Sequence, residues 1–104
     1  MPTKPPSRPR RDAVLNELLS CKELLTSHGV SALYLFGSVA RDEATTSSDV
    51  DLLVEFNSIP SLFDLSRLRF ALQDRLGRQI DLVYGPSLRK EFRPFVDQEK
   101  LRAA

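Results

Sequence analysis

The residues best equipped to do chemistry in this chain are acidic and closely spaced. Asp49 and Asp51 stand two apart at the head of the run Asp49-Val50-Asp51-Leu52-Leu53-Val54-Glu55-Phe56. In a strand, residues two apart project to the same face, which sets these carboxylates side by side about 7 Å apart along the chain. Two carboxylates at the head of an otherwise apolar strand need a compensating charge. Oxygen ligands favour Mg²⁺ or Mn²⁺ over zinc, and Mg²⁺ combines one or two carboxylates with substrate phosphates. The alternative is that Asp49 caps a turn and Asp51 lies at a solvent edge. Asp81, in Gln79-Ile80-Asp81-Leu82-Val83-Tyr84, again sits near the start of a short apolar strand, where a charge is costly unless paired. If that strand lies beside the preceding one, three carboxylates meet at one end of a sheet and hold one or two metal ions. In the two-metal arrangement one ion and a carboxylate activate a hydroxyl while the other ion clamps the phosphates and the leaving oxygen. Otherwise Asp81 pairs with Arg78 or another nearby basic group.

Upstream, Leu35-Phe36-Gly37-Ser38-Val39-Ala40-Arg41 reads as a strand that turns at Gly-Ser into a helix. Such a turn offers free backbone N–H groups and a hydroxyl, a combination that favours phosphate. Gly37 permits close backbone approach, Ser38 can donate its hydroxyl, and Arg41 follows one helical turn later on the same side. A turn needs Gly and Ser in any case, so the signal gains its weight from standing just before an acidic pair. It is not a P-loop, because the Gly-Lys-Ser/Thr ending is absent.

The elements that must hold these groups can be read from periodicity. Val14, Leu15, Leu18, Leu19, Leu24 and Leu25 recur at helical spacing over residues 12–28, with Gly29 placed as a left-handed cap. Residues 31–36 and 49–56 read as strands, the second so continuously apolar that both its faces should be covered. Ser61 with Asp64 three residues on is an Asp form of the capping box, opening an amphipathic helix that Gly77 stops. Residues 79–84 form a third strand, and 88–101 a last charged helix. Phe63, Phe70, Phe92 and Phe95 are assigned to the core, and Tyr34 and Tyr84 to strands with the hydroxyl at the rim. The order α-β-α-β-α-β-α gives an α/β fold, a small sheet flanked by helices.

Composition sets the limits. The 104 residues allow one domain. The net charge of +1 hides four basic and no acidic residues among the first eleven. Four of the seven prolines share that stretch, so residues 1–11 read as a disordered basic tail and 12–104 as the folded domain. No run approaches the ~18 apolar residues of a membrane span and no signal peptide is visible, so a cytoplasmic location is expected. One cysteine, Cys21, and one histidine, His28, cannot form a disulfide framework or a zinc cluster. The acidic balance of residues 12–104 argues against direct nucleic-acid binding.

Taken together, Gly37-Ser38-Val39-Ala40-Arg41, a short polar spacer, Ser48-Asp49-Val50-Asp51-Leu52-Leu53-Val54-Glu55-Phe56 and Ile80-Asp81-Leu82-Val83 resemble a minimal nucleotidyltransferase of the DNA polymerase β superfamily. The resemblance implies a nucleotidyltransferase fold with a mixed sheet, in which Gly37, Ser38 and Arg41 bind the triphosphate of ATP. Asp49 and Asp51 would bind Mg²⁺, and Asp81 would act as a further ligand or as general base. It also implies an antitoxin paired with a HEPN-domain toxin, transferring AMP to a tyrosine of that partner. Asp42 stands where many relatives have glycine. Its charge near the phosphate site would weaken nucleotide binding and leaves a second reading open, a weak or inactive antitoxin that neutralises its partner by occlusion. Nucleotide preference, the number of AMP units and oligomeric state are not legible.

Overall fold

The computed structural model describes residues 8–104. A four-stranded mixed sheet forms its centre, in the order β3-β2-β1-β4. The strands are β1 (Val30–Phe36), β2 (Val50–Phe56), β3 (Ile80–Tyr84) and β4 (Leu101–Arg102). β1 runs antiparallel to both β2 and β4, whereas β2 and β3 are parallel. The helices are α1 (Arg11–Ser20), α2 (Lys22–Ser27), α3 (Gly37–Ala40), α4 (Leu62–Leu76) and α5 (Arg93–Glu99). The α/β class and the small mixed sheet flanked by helices are therefore as the sequence implied.

Strand alternation sorts the sheet into two faces. Leu33, Leu35, Val50, Leu52, Val54 and Ile80 join Val14, Leu18, Cys21 and Leu25 of the first helical segment and Leu68, Leu72 and Leu76 of α4 in one buried cluster. Residues opposite one another in the ladder share a face. Tyr34 opposite Leu53, Phe36 opposite Asp51 and Asp51 opposite Asp81 thus belong to the other face. Ser61 and Asp64 form the reciprocal capping box of α4, and Gly77 ends it with φ +66.

Four expectations need correction. The helix expected over 12–28 is divided at Cys21, which is buried between α1 and α2. There the Ser20 hydroxyl donates to the Glu17 carbonyl at 2.6 Å, and Cys21 N–H turns back to Leu18, the local competition by which hydroxyls loosen a helical ladder. The helix expected over 88–101 shrinks to α5, followed by β4. Phe63, Phe70, Phe92 and Phe95 are all exposed, because leucines and valines already fill the core. Lastly, the basic tail expected over 1–11 lies outside the described residues for 1–7, while Pro9 is buried and α1 already begins at Arg11.

Candidate active site

β1 delivers the chain to Phe36, and the next residue, Gly37, takes φ +76. This left-handed conformation suits glycine. A second reason is steric: a Cβ at this position would collide with the Asp51 carboxylate. The turn and the strand head are therefore packed backbone against carboxylate. α3 starts at Gly37, and the Ser38 hydroxyl has no hydrogen-bond partner among the described residues.

β3 lies beside β2 with Asp81 directly opposite Asp51. The two carboxyls are close enough to interact, and Asp51 is half-buried. Burial above all, then the charges of Asp81 and Asp49, pushes the Asp51 carboxyl up to about 6. Asp49 is exposed just before β2 begins. Among the described residues no group of three or more His, Cys, Asp or Glu side chains is gathered closely enough to hold a metal alone. What the chain offers is an all-oxygen, partial shell carrying excess negative charge. That fits Mg²⁺, which keeps several waters and takes substrate phosphates to complete its octahedron.

Arg41 is C-terminal to α3 and exposed. Its Nε donates to Glu43 at 2.9 Å and its Nη1 to Glu99 at 2.8 Å. Those bonds, Glu99's first, raise its pKa above the usual arginine value. The other Glu99 oxygen, Oε1, accepts from the Gly37 N–H at 2.9 Å. Sequence reasoning missed Glu99. It lies 62 residues from Gly37, in a stretch whose charges look like an ordinary solvated helix face, and no local pattern marks it.

Asp42 also differs from its reading. It is the one non-glycine with positive φ among the described residues, at +57. Its carboxylate accepts from the Arg11 N–H at 3.2 Å, at the start of α1, and lies 3.5 Å from the Arg10 guanidinium. Arg8 donates to its carbonyl at 3.1 Å. The Arg11 amide, then the neighbouring arginines, hold the Asp42 carboxyl below its ordinary range. Its charge is thus taken up by the N-terminal segment.

Beside Asp81, a cleft of about 300 Å³ is lined by Leu65, Ser66, Arg69 and Leu82. Ile59, Leu62, Phe63 and Phe70, on α4 and the turn before it, are 88%, 82%, 80% and 58% exposed. No helix among the described residues is long and apolar enough to cross a membrane.

Comparison with known proteins identifies the family and the fold. The protein adenylyltransferase MntA of Thermococcus cleftensis is 46% identical over 68 residues, 65% of this chain and 69% of that protein. A Methanocaldococcus jannaschii protein, also named among the protein adenylyltransferases, is 45% identical over 60 residues. That match spans 58% of this chain and 64% of the relative, just under two thirds of its length. A solved minimal nucleotidyltransferase superposes with TM-score 0.78 at 35% identity, covering 88% of this chain and 94% of that one. The fold also superposes on a chain of the solved complex of tri-AMPylated Shewanella oneidensis HEPN toxin with MNT antitoxin, with TM-score 0.66 at 20% identity over 90% of this chain and 71% of that one. Residues 18–103 match the nucleotidyltransferase domain model, and the chain belongs to that family, among its minimal members.

Proposed function

We propose that this chain is a Mg²⁺-dependent adenylyltransferase that moves AMP from ATP to a tyrosine hydroxyl of a partner HEPN toxin and so acts as its antitoxin. The observation that carries this reading is the pairing of Asp51 with Asp81 across parallel strands, with the Gly37 turn packed onto the Asp51 carboxylate. The names of the relatives and the AMPylated toxin in the structural neighbour support the reaction and the partner.

The Gly37 and Ser38 backbone, the Ser38 hydroxyl and Arg41 hold the phosphates. Asp49, Asp51 and Asp81 would hold Mg²⁺, which when bound neutralises the triphosphate and favours departure of pyrophosphate. Asp81, on the outermost strand and exposed, takes the proton of the acceptor hydroxyl. The hydroxyl oxygen then bonds to the α-phosphorus of ATP, and the bond from that phosphorus to the pyrophosphate oxygen breaks. Products are an AMP ester on the partner, pyrophosphate and the proton.

The acceptor must reach Asp81, and the cleft beside it opens onto α4 with Leu62, Phe63 and Phe70 exposed. Exposed apolar side chains on the helix that lines this cleft suit a protein surface that presents the tyrosine. The occlusion reading drew on Asp42, whose carboxylate is engaged by Arg10 and Arg11 instead.

Incubation with labelled ATP, Mg²⁺ and the partner toxin tests the proposal. Wild type should label the toxin, and Asp51→Ala or Asp81→Ala should lower the rate at least about 100-fold, the scale on which losing a proton-transfer group or a metal ligand is felt. Equal labelling by wild type and variants would overturn the mechanism. Full neutralisation of the toxin in cells by an Asp49→Ala/Asp51→Ala variant would favour occlusion.

A further inference from the structure

We infer that Glu99 is a built-in competitor for the phosphate site, its carboxylate occupying donors that a nucleotide must take over, so that this one side chain sets nucleotide affinity. The inference rests on the reading that Gly37 and Arg41 receive the phosphates.

Both oxygens of Glu99 are used. Oε1 accepts from the Gly37 N–H at 2.9 Å and Oε2 from Arg41 Nη1 at 2.8 Å. A backbone N–H and a guanidinium converging on two oxygens of one anion is the way phosphate oxygens are also held, since carboxylate and phosphate are recognised by the same charge-assisted donors. The site is therefore already satisfied by the chain itself.

The backbone around Glu99 is anchored. Glu99 ends α5, and two residues later Leu101 pairs with Leu35 while Arg102 pairs with Tyr34. The Lys100 ammonium lies 4.6 Å from the centre of the Tyr34 ring and pairs with Asp97. The carboxylate is thus delivered to the turn by a fixed scaffold, and vacating the turn requires only rotation of the Glu99 side chain. Arg41 is prepared for the exchange, because its Nε stays with Glu43 at 2.9 Å while Nη1 is handed over. The contact is accessible to a competing anion: the Arg41 side chain is 48% exposed and that of Glu99 26%. Glu99 also stands close enough to repel the Asp51 carboxylate, so moving it away from the turn relieves crowding among the acidic groups when a triphosphate arrives.

The test is the dissociation constant of ATP in MgCl₂, measured by calorimetry on the full chain without any acceptor protein, for wild type, Glu99→Gln, Glu99→Ala and Arg41→Ala. Glu99→Gln keeps an acceptor for the Gly37 N–H while removing the charge, so folding is preserved, and the melting curve of each variant verifies this. Both Glu99 variants should bind ATP about two- to fivefold more tightly, the range expected from removing one exposed ion pair that the ligand must break. Unchanged or weaker binding by Glu99→Gln, with Arg41→Ala also weakened, would overturn the competitor role and leave the phosphate site standing, with Glu99 acting as a ligand or as a prop for Arg41. Unchanged binding in Arg41→Ala and both Glu99 variants would instead remove the phosphate reading on which the inference rests.

Discussion

A methyl group at position 37 would strike the Asp51 carboxylate and would have to be carried at φ +76. Gly37→Ala should therefore cost about 1–2 kcal/mol from backbone conformation alone, measurable by urea denaturation, and should abolish AMP transfer because the turn is displaced from the acidic pair. Asp51 gives a second prediction with a definite sign. In the folded chain its carboxyl keeps the proton up to about pH 6, whereas in the unfolded chain it is lost near pH ~4. Between those values the folded state binds more protons, so this group's contribution makes stability fall as pH rises from about 4 to about 6. Above that window a charged Asp51 is held at a cost. Asp51→Asn should then stabilise the cation-free protein by about 1 kcal/mol at pH 8, a figure reduced for the half-exposed setting. The gain should vanish below pH ~4, and chemical denaturation across the pH range in chelator checks both limbs. The same aspartates show how far the residues were readable in advance. The strand carrying Asp51 was legible in its apolar run, although Asp49 falls just before that strand, and Asp81 meeting Asp51 depended on β3 lying beside β2, which no local pattern fixes. Glu99 was beyond reach for the same reason, as were the left-handed φ of Asp42 and its partners in the N-terminal segment.

At the scale of elements, the capping box of α4 was legible because its residues are three apart and each satisfies the other's backbone N–H. Ser61→Ala removes the acceptor for the Asp64 N–H and should lower stability by about 1 kcal/mol, read as a lower denaturation midpoint with an unchanged slope. The division of the first helix and the shortness of α5 were not legible, since apolar periodicity runs on through Cys21 while the hydroxyls of Ser20, Thr26 and Ser27 bond backwards to carbonyls. The junction of α3 with α1 has its own test. Asp42 caps the first N–H of α1 and tolerates the left-handed region, and asparagine can do both. Asp42→Asn should therefore melt close to wild type, while Asp42→Ala melts lower and exposes the peptide around Arg10 to trypsin.

For the whole molecule, the two faces of the sheet divide the work. One is closed by α1, α2 and α4 into the core, and the other presents the acidic pair together with the Gly37 turn. The apolar residues left over on α4 are not needed for that core. Replacing Leu62 and Phe63 by serine should leave the melting temperature and ATP affinity near wild type while sharply reducing labelling of the partner toxin. Loss of ATP affinity in that variant would separate the patch from acceptor docking. The position of Glu99 in the chain also bears on synthesis. Gly37, Arg41, Asp51 and Asp81 all precede it, and the pairing of β4 with β1 joins residues far apart in sequence, a contact that is slow to close. Because the chain is made from its N-terminus, the Gly37 turn, Asp51 and Asp81 leave the ribosome before Glu99 does. Until α5 and β4 dock, the Gly37 N–H and the Arg41 guanidinium of a new chain are without the Glu99 carboxylate that they hold in the finished fold.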